Sequence, residues 1–414
     1  MANFSMSDVR SAVEASQGET TEFLCDLIRF PSLPGEEQGV VEFTAQRFAE
    51  VGDVEHIPLA DALRGDRDYA YAQPGLTYYG RSNLRVRVAG SGGGRSLLLN
   101  THLDVVPPSP GQEHPFEPKV EAGRVYGRGA CDAKGQVVAL FAALLAVKHL
   151  GMTLRGDVLV HLVVEEEVGG NGTLALVRRG EQADACIVME PTTDLGILTS
   201  VRGSVWFRVT CAGESGHSGD LTETRSALQM AIRASEILGG YRDRLFAASQ
   251  DIPLFDQCAN SMPILFGKLT AGNWLAAVPA EAVLEGVLGF LPNKTRHEVM
   301  QGVRQSLREE GDEWFRNHVA VDFPNRHDAH VLDPGHPLVT CLQRCCREAG
   351  ARGQVGAMAA SCDSWLYHNQ LRIPTVVFGP GSLRFGHRRD EQIGLDEIRE
   401  AAIILVRFLA AWCA

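Results

Sequence analysis

Ser96-Leu97-Leu98-Leu99-Asn100-Thr101-His102-Leu103-Asp104 runs from an apolar segment straight into a histidine and an acid. A short apolar run of this kind reads as a strand buried in a sheet. Moving outward, the texture repeats. Residues 134–150 read as a helix, 158–164 as a strand, 171–179 as a helix and 185–189 as a strand. This alternation predicts an α/β domain with buried strands. Upstream, residues 7–30 and 36–51 carry helical spacing, with Phe23, Leu24, Leu27 and Ile28 on one face and a break at Pro31-Ser32. Residues 84–90 alternate as a half-exposed strand, and the glycines of 91–94 lead directly into 96–100. That order predicts a hairpin loop. A phosphate cradle would need a helix after the glycines, and none follows.

The texture changes after Arg202-Gly203. Residues 205–211 form a β-branched strand, followed by a helix over 222–240, strands over 262–270 and 280–290, and a helix over 295–309. The order predicts a separate α+β module. Near Asp333-Pro334-Gly335 the α/β texture returns, with a helix over 336–349, a strand over 375–378 and a helix over 395–412. The expected organisation is one discontinuous α/β domain, residues 1–202 and 327–414, interrupted by a module at 203–326.

Composition narrows the function. The chain has 414 residues, 45% of them hydrophobic and 22% charged, which suits a globular protein rather than a disordered or collagen-like one. Its net charge of −12 argues against general binding to nucleic acid or anionic membranes. Ten cysteines without a repeating spacing predict reduced, mostly buried thiols in a cytoplasmic protein. Residues 1–18 lack the apolar core of a signal peptide. The longest apolar stretch, 136–147, reads as a buried helix rather than a membrane span.

The acids and histidines fall just past predicted strand ends, where open α/β sheets place their sites. They are His102 and Asp104, then Glu165-Glu166-Glu167, then Glu190, then His387, with Asp132 at the entry to a helix. Taken singly, Asp132 could cap that helix, and three consecutive glutamates could form a solvated face. Convergence of all these groups would bury mutually repelling carboxylates, which is costly without cations. Two histidines and three carboxylates suit a pair of divalent ions, with one carboxylate bridging.

The motifs Phe23–Ser32, Leu97–Pro107, Gly127–Gly135, Phe378–Gly381 and His387–Glu391 resemble those of the dinuclear-zinc amidohydrolases and peptidases. That family includes acetylornithine deacetylase, succinyl-diaminopimelate desuccinylase, aminoacylase-1 and the glutamate carboxypeptidases. The resemblance covers nearly the whole chain. It implies a zinc-peptidase-like α/β catalytic domain with an inserted α+β, ferredoxin-like lid and dimerisation domain. It implies two divalent ions, zinc first with cobalt or manganese as substitutes. His102 and Glu190 would hold one ion, Glu167 and His387 the other, and Asp132 both. Asp104 would hydrogen-bond His102 and fix its tautomer. Glu166 would be the general base toward a metal-bridged water. Glu165 stands where an Asp is usual. His217, in Gly213-Glu-Ser-Gly-His217, matches a histidine that reaches the partner's site in dimeric relatives, so it would be the oxyanion donor of a homodimer.

The implied activity is hydrolysis of an N-acyl amino acid or related small amide. Dipeptidase or carboxypeptidase action is the alternative, and a non-catalytic binding protein the remote one. Two family contacts to substrate are absent. Ala276 stands at an Asn position and Gly289 at that of a carboxylate-gripping Arg, which predicts an altered grip on a free α-carboxylate. Trp274 and Ser361-Cys362-Asp363-Ser364-Trp365 are the candidates for a replacement pocket.

Overall fold

A computed structural model describes residues 4–71, 73 and 75–414. Its larger sheet has nine strands. The path runs Asp53–Pro58, Ser82–Val88, Val158–Val163, Leu97–His102, Cys186–Val188, Thr375–Val377, Ile197–Val201, His330–Val331, with Val355–Met358 pairing beside Ile197–Val201. The four central strands from Val158–Val163 to Thr375–Val377 are mutually parallel. Every residue of these four strands is buried, as their apolar texture requires. Helix Gly135–His149 is buried from Gly135 to Val147, so its apolar length serves the core. Helix Leu395–Trp412 packs beside it. Because the four strands point the same way, their carboxyl ends open on one edge of the sheet.

The smaller sheet is antiparallel, in the order Ile264–Ala271, Glu281–Phe290, Gly203–Ala212, Val319–His327. Helices Ala227–Ala247 and Arg296–Glu310 complete a β-α-β-β-α-β unit of ferredoxin-like order with its own apolar core. Arg296 of this unit reaches Asp68, which also accepts from Arg178 (2.7 Å) and Gln370 (2.9 Å) of the larger one.

Three expectations are corrected. The glycines at 91–94 do not close a hairpin, because Val158–Val163 lies between Ser82–Val88 and Leu97–His102. Their job is close approach: a Cβ on Gly94 would stand 2.5 Å from the Gly156 nitrogen. The helical run 7–30 is two helices, Met6–Ala15 and Gln17–Ile28, broken at Ser16. The helix expected over 222–240 spans Ala227–Ala247, because the Ser226 hydroxyl caps its start.

Candidate metal centre

His102 ends its parallel strand, and its imidazole is nearly fully buried. Its Nδ1 lies 2.9 Å from the Asp104 main-chain oxygen. A carbonyl oxygen only accepts, so Nδ1 carries the proton and Nε2 faces the site. There Nε2 lies 3.1 Å from Asp132 Oδ1. The second oxygen, Asp132 Oδ2, is 3.3 Å from His387 Nε2, which is also 3.0 Å from Glu167 Oε1. Asp132 thus stands between the two histidines.

Asp104 does more than orient His102. Its carboxylate is 3.5 Å from Nδ1, farther than the main-chain oxygen. The same carboxylate accepts the main-chain N–H groups of Glu166 (3.2 Å) and Glu167 (3.1 Å). It therefore shapes the turn that follows Val158–Val163. Glu165 has a positive φ of 61° and turns away from the site. Its buried carboxylate pairs with Arg81 and accepts from Tyr78 (2.9 Å) and Asn171 (3.0 Å). That leaves Glu166 and Glu167 facing the histidines. Ligand atoms of His102, Glu166 and Glu190 lie within 4.8 Å of one another, as do those of His102, Asp132 and Glu167.

Asp132 does not cap the following helix, whose N-cap is Lys134. It sits in an irregular turn, Ala130–Lys134, whose Asp132–Ala133 peptide is cis. Glu391 anchors this turn: its Oε1 accepts the N–H groups of Cys131 and Asp132, each at 3.1 Å. Its Oε2 binds Arg128 at 2.5 Å. In the sequence Glu391 only ends the His387–Glu391 motif, and its anchoring role depends on contacts across the fold.

Burial and mutual repulsion perturb the acids of the cluster. Burial raises Glu166 well above the carboxylate range, and the charges of Asp363 and Glu190 add to it. Burial likewise raises Glu190 and Glu167, with Asp132 adding repulsion to both. Burial would raise Asp132 too, but hydrogen bonds from His102 and His387 hold it well below the usual range. Burial works against protonation of His387, yet Asp132 and Glu167 lift it to about 11. Imidazole and carboxylate donors, packed this closely, fit divalent metal ions.

The family pattern of peptidases M20/M25/M40 matches residues 98–411. The chain belongs to this family. Membership makes it a metal-dependent hydrolase of amide bonds. The succinyl-diaminopimelate desuccinylase of Methylorubrum extorquens is 34% identical over 402 residues, 93% of this chain and 97% of that one. The N-formyl-4-amino-5-aminomethyl-2-methylpyrimidine deformylase of Bacillus subtilis is 27% identical over 346 residues, 77% of this chain and 80% of that one. The di-peptidase Dug1p of Saccharomyces cerevisiae has a TM-score of 0.80 at 13% identity, covering 99% of this chain and 98% of that one. That likeness shows the fold.

Other residues of this M20-family chain fall outside the cluster. His217 is exposed on the smaller unit, and its Nδ1 accepts the Gly219 N–H at 3.0 Å, which leaves Nε2–H as a donor. Its loop is zipped to the next one by Ser218 N–H to the Ala276 oxygen and Val278 N–H to the Gly216 oxygen. That second loop displays Trp274, 74% exposed, and Leu275. Trp365 is buried beneath Arg296 and is packing rather than pocket. Asp363 is buried, bonded to Thr173 at 2.5 Å, and pushed up to about 7 by burial. Gly289 is not a bare gap: a Cβ there would stand 1.8 Å from Nη1 of Arg202.

Proposed function

We propose that this enzyme is a deacylase that splits the amide of an N-acylated amino acid or similar small amine. The observation that carries the site is Asp132, shared between His102 and His387 at 3.1 and 3.3 Å. In this reading His102 and Glu190 would hold one ion and Glu167 and His387 the other, with Asp132 shared by both and zinc as the metal. When bound, such ions polarise the amide carbonyl and acidify water. Glu166 accepts the proton of the attacking water and hands it to the leaving nitrogen. Asp104 holds Glu166 and His102 in place. Both curated relatives described above are named for removing an acyl group, which favours deacylation over peptide cleavage.

Residues 1–202 and 327–414 act in this reading as the catalytic domain, and 203–326 as a lid and dimerisation domain. Strand Ile264–Ala271 is an edge of its sheet and exposes Leu265, Phe266 and Leu269. An exposed apolar edge invites a second copy. Such a homodimer would bring His217 to the partner's site, where Nε2–H stabilises the developing oxyanion. Ten free cysteines support a cytoplasmic location. A panel of N-formyl, N-acetyl and N-succinyl amino acids set against dipeptides tests the reading. Higher kcat/KM on the acyl series is expected, and a preference for dipeptides overturns deacylation.

A further inference from the structure

Gly169 lies in the turn that carries Glu166 and Glu167, and its N–H donates to the Glu166 main-chain oxygen at 3.0 Å. Its φ of 121° is one that residues with side chains rarely adopt. The space beside it is also taken. A Cβ there would stand 2.1 Å from the Ala70 Cβ and 3.1 Å from Asn325 Oδ1. Ala70 belongs to the larger unit, and Asn325 to strand Val319–His327 of the smaller one. Two separate segments therefore press on the turn of the proposed base. Asn325 is buried, and its Oδ1 has no hydrogen-bond partner among the described residues. Its contact with Gly169 is one of packing, so the spacing is fixed by the hydrogen bonds of the neighbouring residues 68–71.

That segment is tied in two directions. Toward the smaller unit, the Tyr71 N–H donates to the Pro324 oxygen at 2.8 Å, Arg326 Nη2 donates to the Tyr69 oxygen, and Arg296 pairs with Asp68. Toward the base turn, Asn171 makes the link. It is buried at the start of helix Asn171–Arg178. Its Oδ1 accepts the Ala70 N–H at 2.9 Å, and its Nδ2 donates to the Ala70 oxygen and to Glu165 Oε2, each at 3.0 Å. One amide thus holds both main-chain polar groups of Ala70 and the residue immediately before Glu166. The Tyr78 hydroxyl adds a second tie, meeting Glu165 Oε2 at 2.9 Å and the Tyr69 hydroxyl at 3.1 Å. A continuous path therefore runs from Arg326 of the smaller unit through Tyr69, Ala70 and Asn171 to Glu165.

We propose that Asn171 and Arg326 are positioning residues for Glu166, which make the aim of the base depend on where the smaller unit sits. Neither is a proposed ligand. Arg326 holds Tyr69 against the smaller unit, and Asn171 passes that position to Glu165 and the turn behind it. A general base works only within hydrogen-bond reach of its proton, and a misplacement of about 1 Å can cost about 100-fold in rate. The proposal rests on the reading of Glu166 as the base and adds what places it.

The test is a double-mutant cycle on metal-loaded full-length enzyme, with kcat, KM and bound metal read on the best substrate of the acyl and dipeptide panel. In Arg326→Met, kcat should fall about tenfold, with KM changed less than about threefold and bound metal as in wild type. Arg326→Lys keeps a donor for the Tyr69 oxygen and should recover most of that loss. Asn171→Ala should lower kcat by about 10- to 100-fold with the same KM and metal content. The double variant should be no slower than Asn171→Ala alone, because both substitutions cut one path. Losses that multiply in the double variant, or that fall on KM or bound metal rather than kcat, overturn the coupling. Should Asn171→Ala fail to fold, the two variants at 326 still decide, since equal losses in Met and Lys overturn the link through Tyr69. Normal turnover by Glu166→Gln overturns the base reading and the proposal with it. An inactive Glu166→Gln beside multiplying losses overturns the coupling alone.

Discussion

Asp104 accepts the main-chain N–H of Glu166 at 3.2 Å. Its other oxygen takes the N–H of Glu167, and its main-chain oxygen sets the His102 tautomer. One buried acid therefore aligns the proposed base and two of the proposed ligands. Asp104→Asn replaces one acceptor with an NH2 that faces an N–H. The expected result is metal affinity weakened by about 10- to 100-fold, read by competition with a chelator. Unchanged affinity would remove Asp104 from the account.

Glu166 sits among the ligands but is proposed to move a proton rather than hold an ion. Glu166→Gln keeps the shape and loses the base. Its kcat should drop by about 10²- to 10⁴-fold while both ions remain bound. Normal turnover in this variant would contradict the mechanism.

His217 lies outside its own chain's cluster, so its role depends on a partner. His217→Ala and Glu166→Gln should each be nearly inactive alone. Mixed and allowed to exchange subunits, they should regain activity, because one site of the hybrid has an intact base and an intact donor from the other chain. A mixture no more active than its components would confine His217 to a surface role.

Asp68 joins the two units through Arg178, Gln370 and Arg296. Burial alone would raise its carboxyl, but these partners hold it at about 2. In the unfolded chain the value is about 3.9, so the folded state takes up this proton less readily. The contribution is complete above about pH 4 and fades as pH falls through about 2, and it amounts to at most about 2.6 kcal/mol. Asp68→Asn should lower stability at pH 7 and flatten its decline in that acid window. Denaturant unfolding at several pH values checks this, and an unchanged slope would count against it.

Much of this was legible in the sequence, for identifiable reasons. Helix Leu395–Trp412 and the parallel strands carry clear apolar periodicity or apolar runs. His102, Glu167 and Glu190 could be found because they lie at or just past the ends of strands that share one direction. Strand Val319–His327 is masked in the sequence because Pro324 interrupts it, and its register shifts between Asp322 and Asn325. The false hairpin arose because neighbours along the chain are not always neighbours in the sheet. The anchoring role of Glu391 was not legible. Glu391 acts on main-chain groups of Cys131 and Asp132, far away in sequence.

His102, Asp132, Glu167, Glu190 and His387 are proposed to hold two ions that are required for amide hydrolysis. The direct measurement is a titration of chelator-stripped enzyme with zinc, following bound metal and hydrolysis together, in wild type and Asp132→Ala. Two ions per chain are expected in wild type, with hydrolysis restored as they bind, and loss of both properties in the variant. Full turnover by the metal-free enzyme, or an Asp132→Ala variant that binds two ions and works normally, would contradict it.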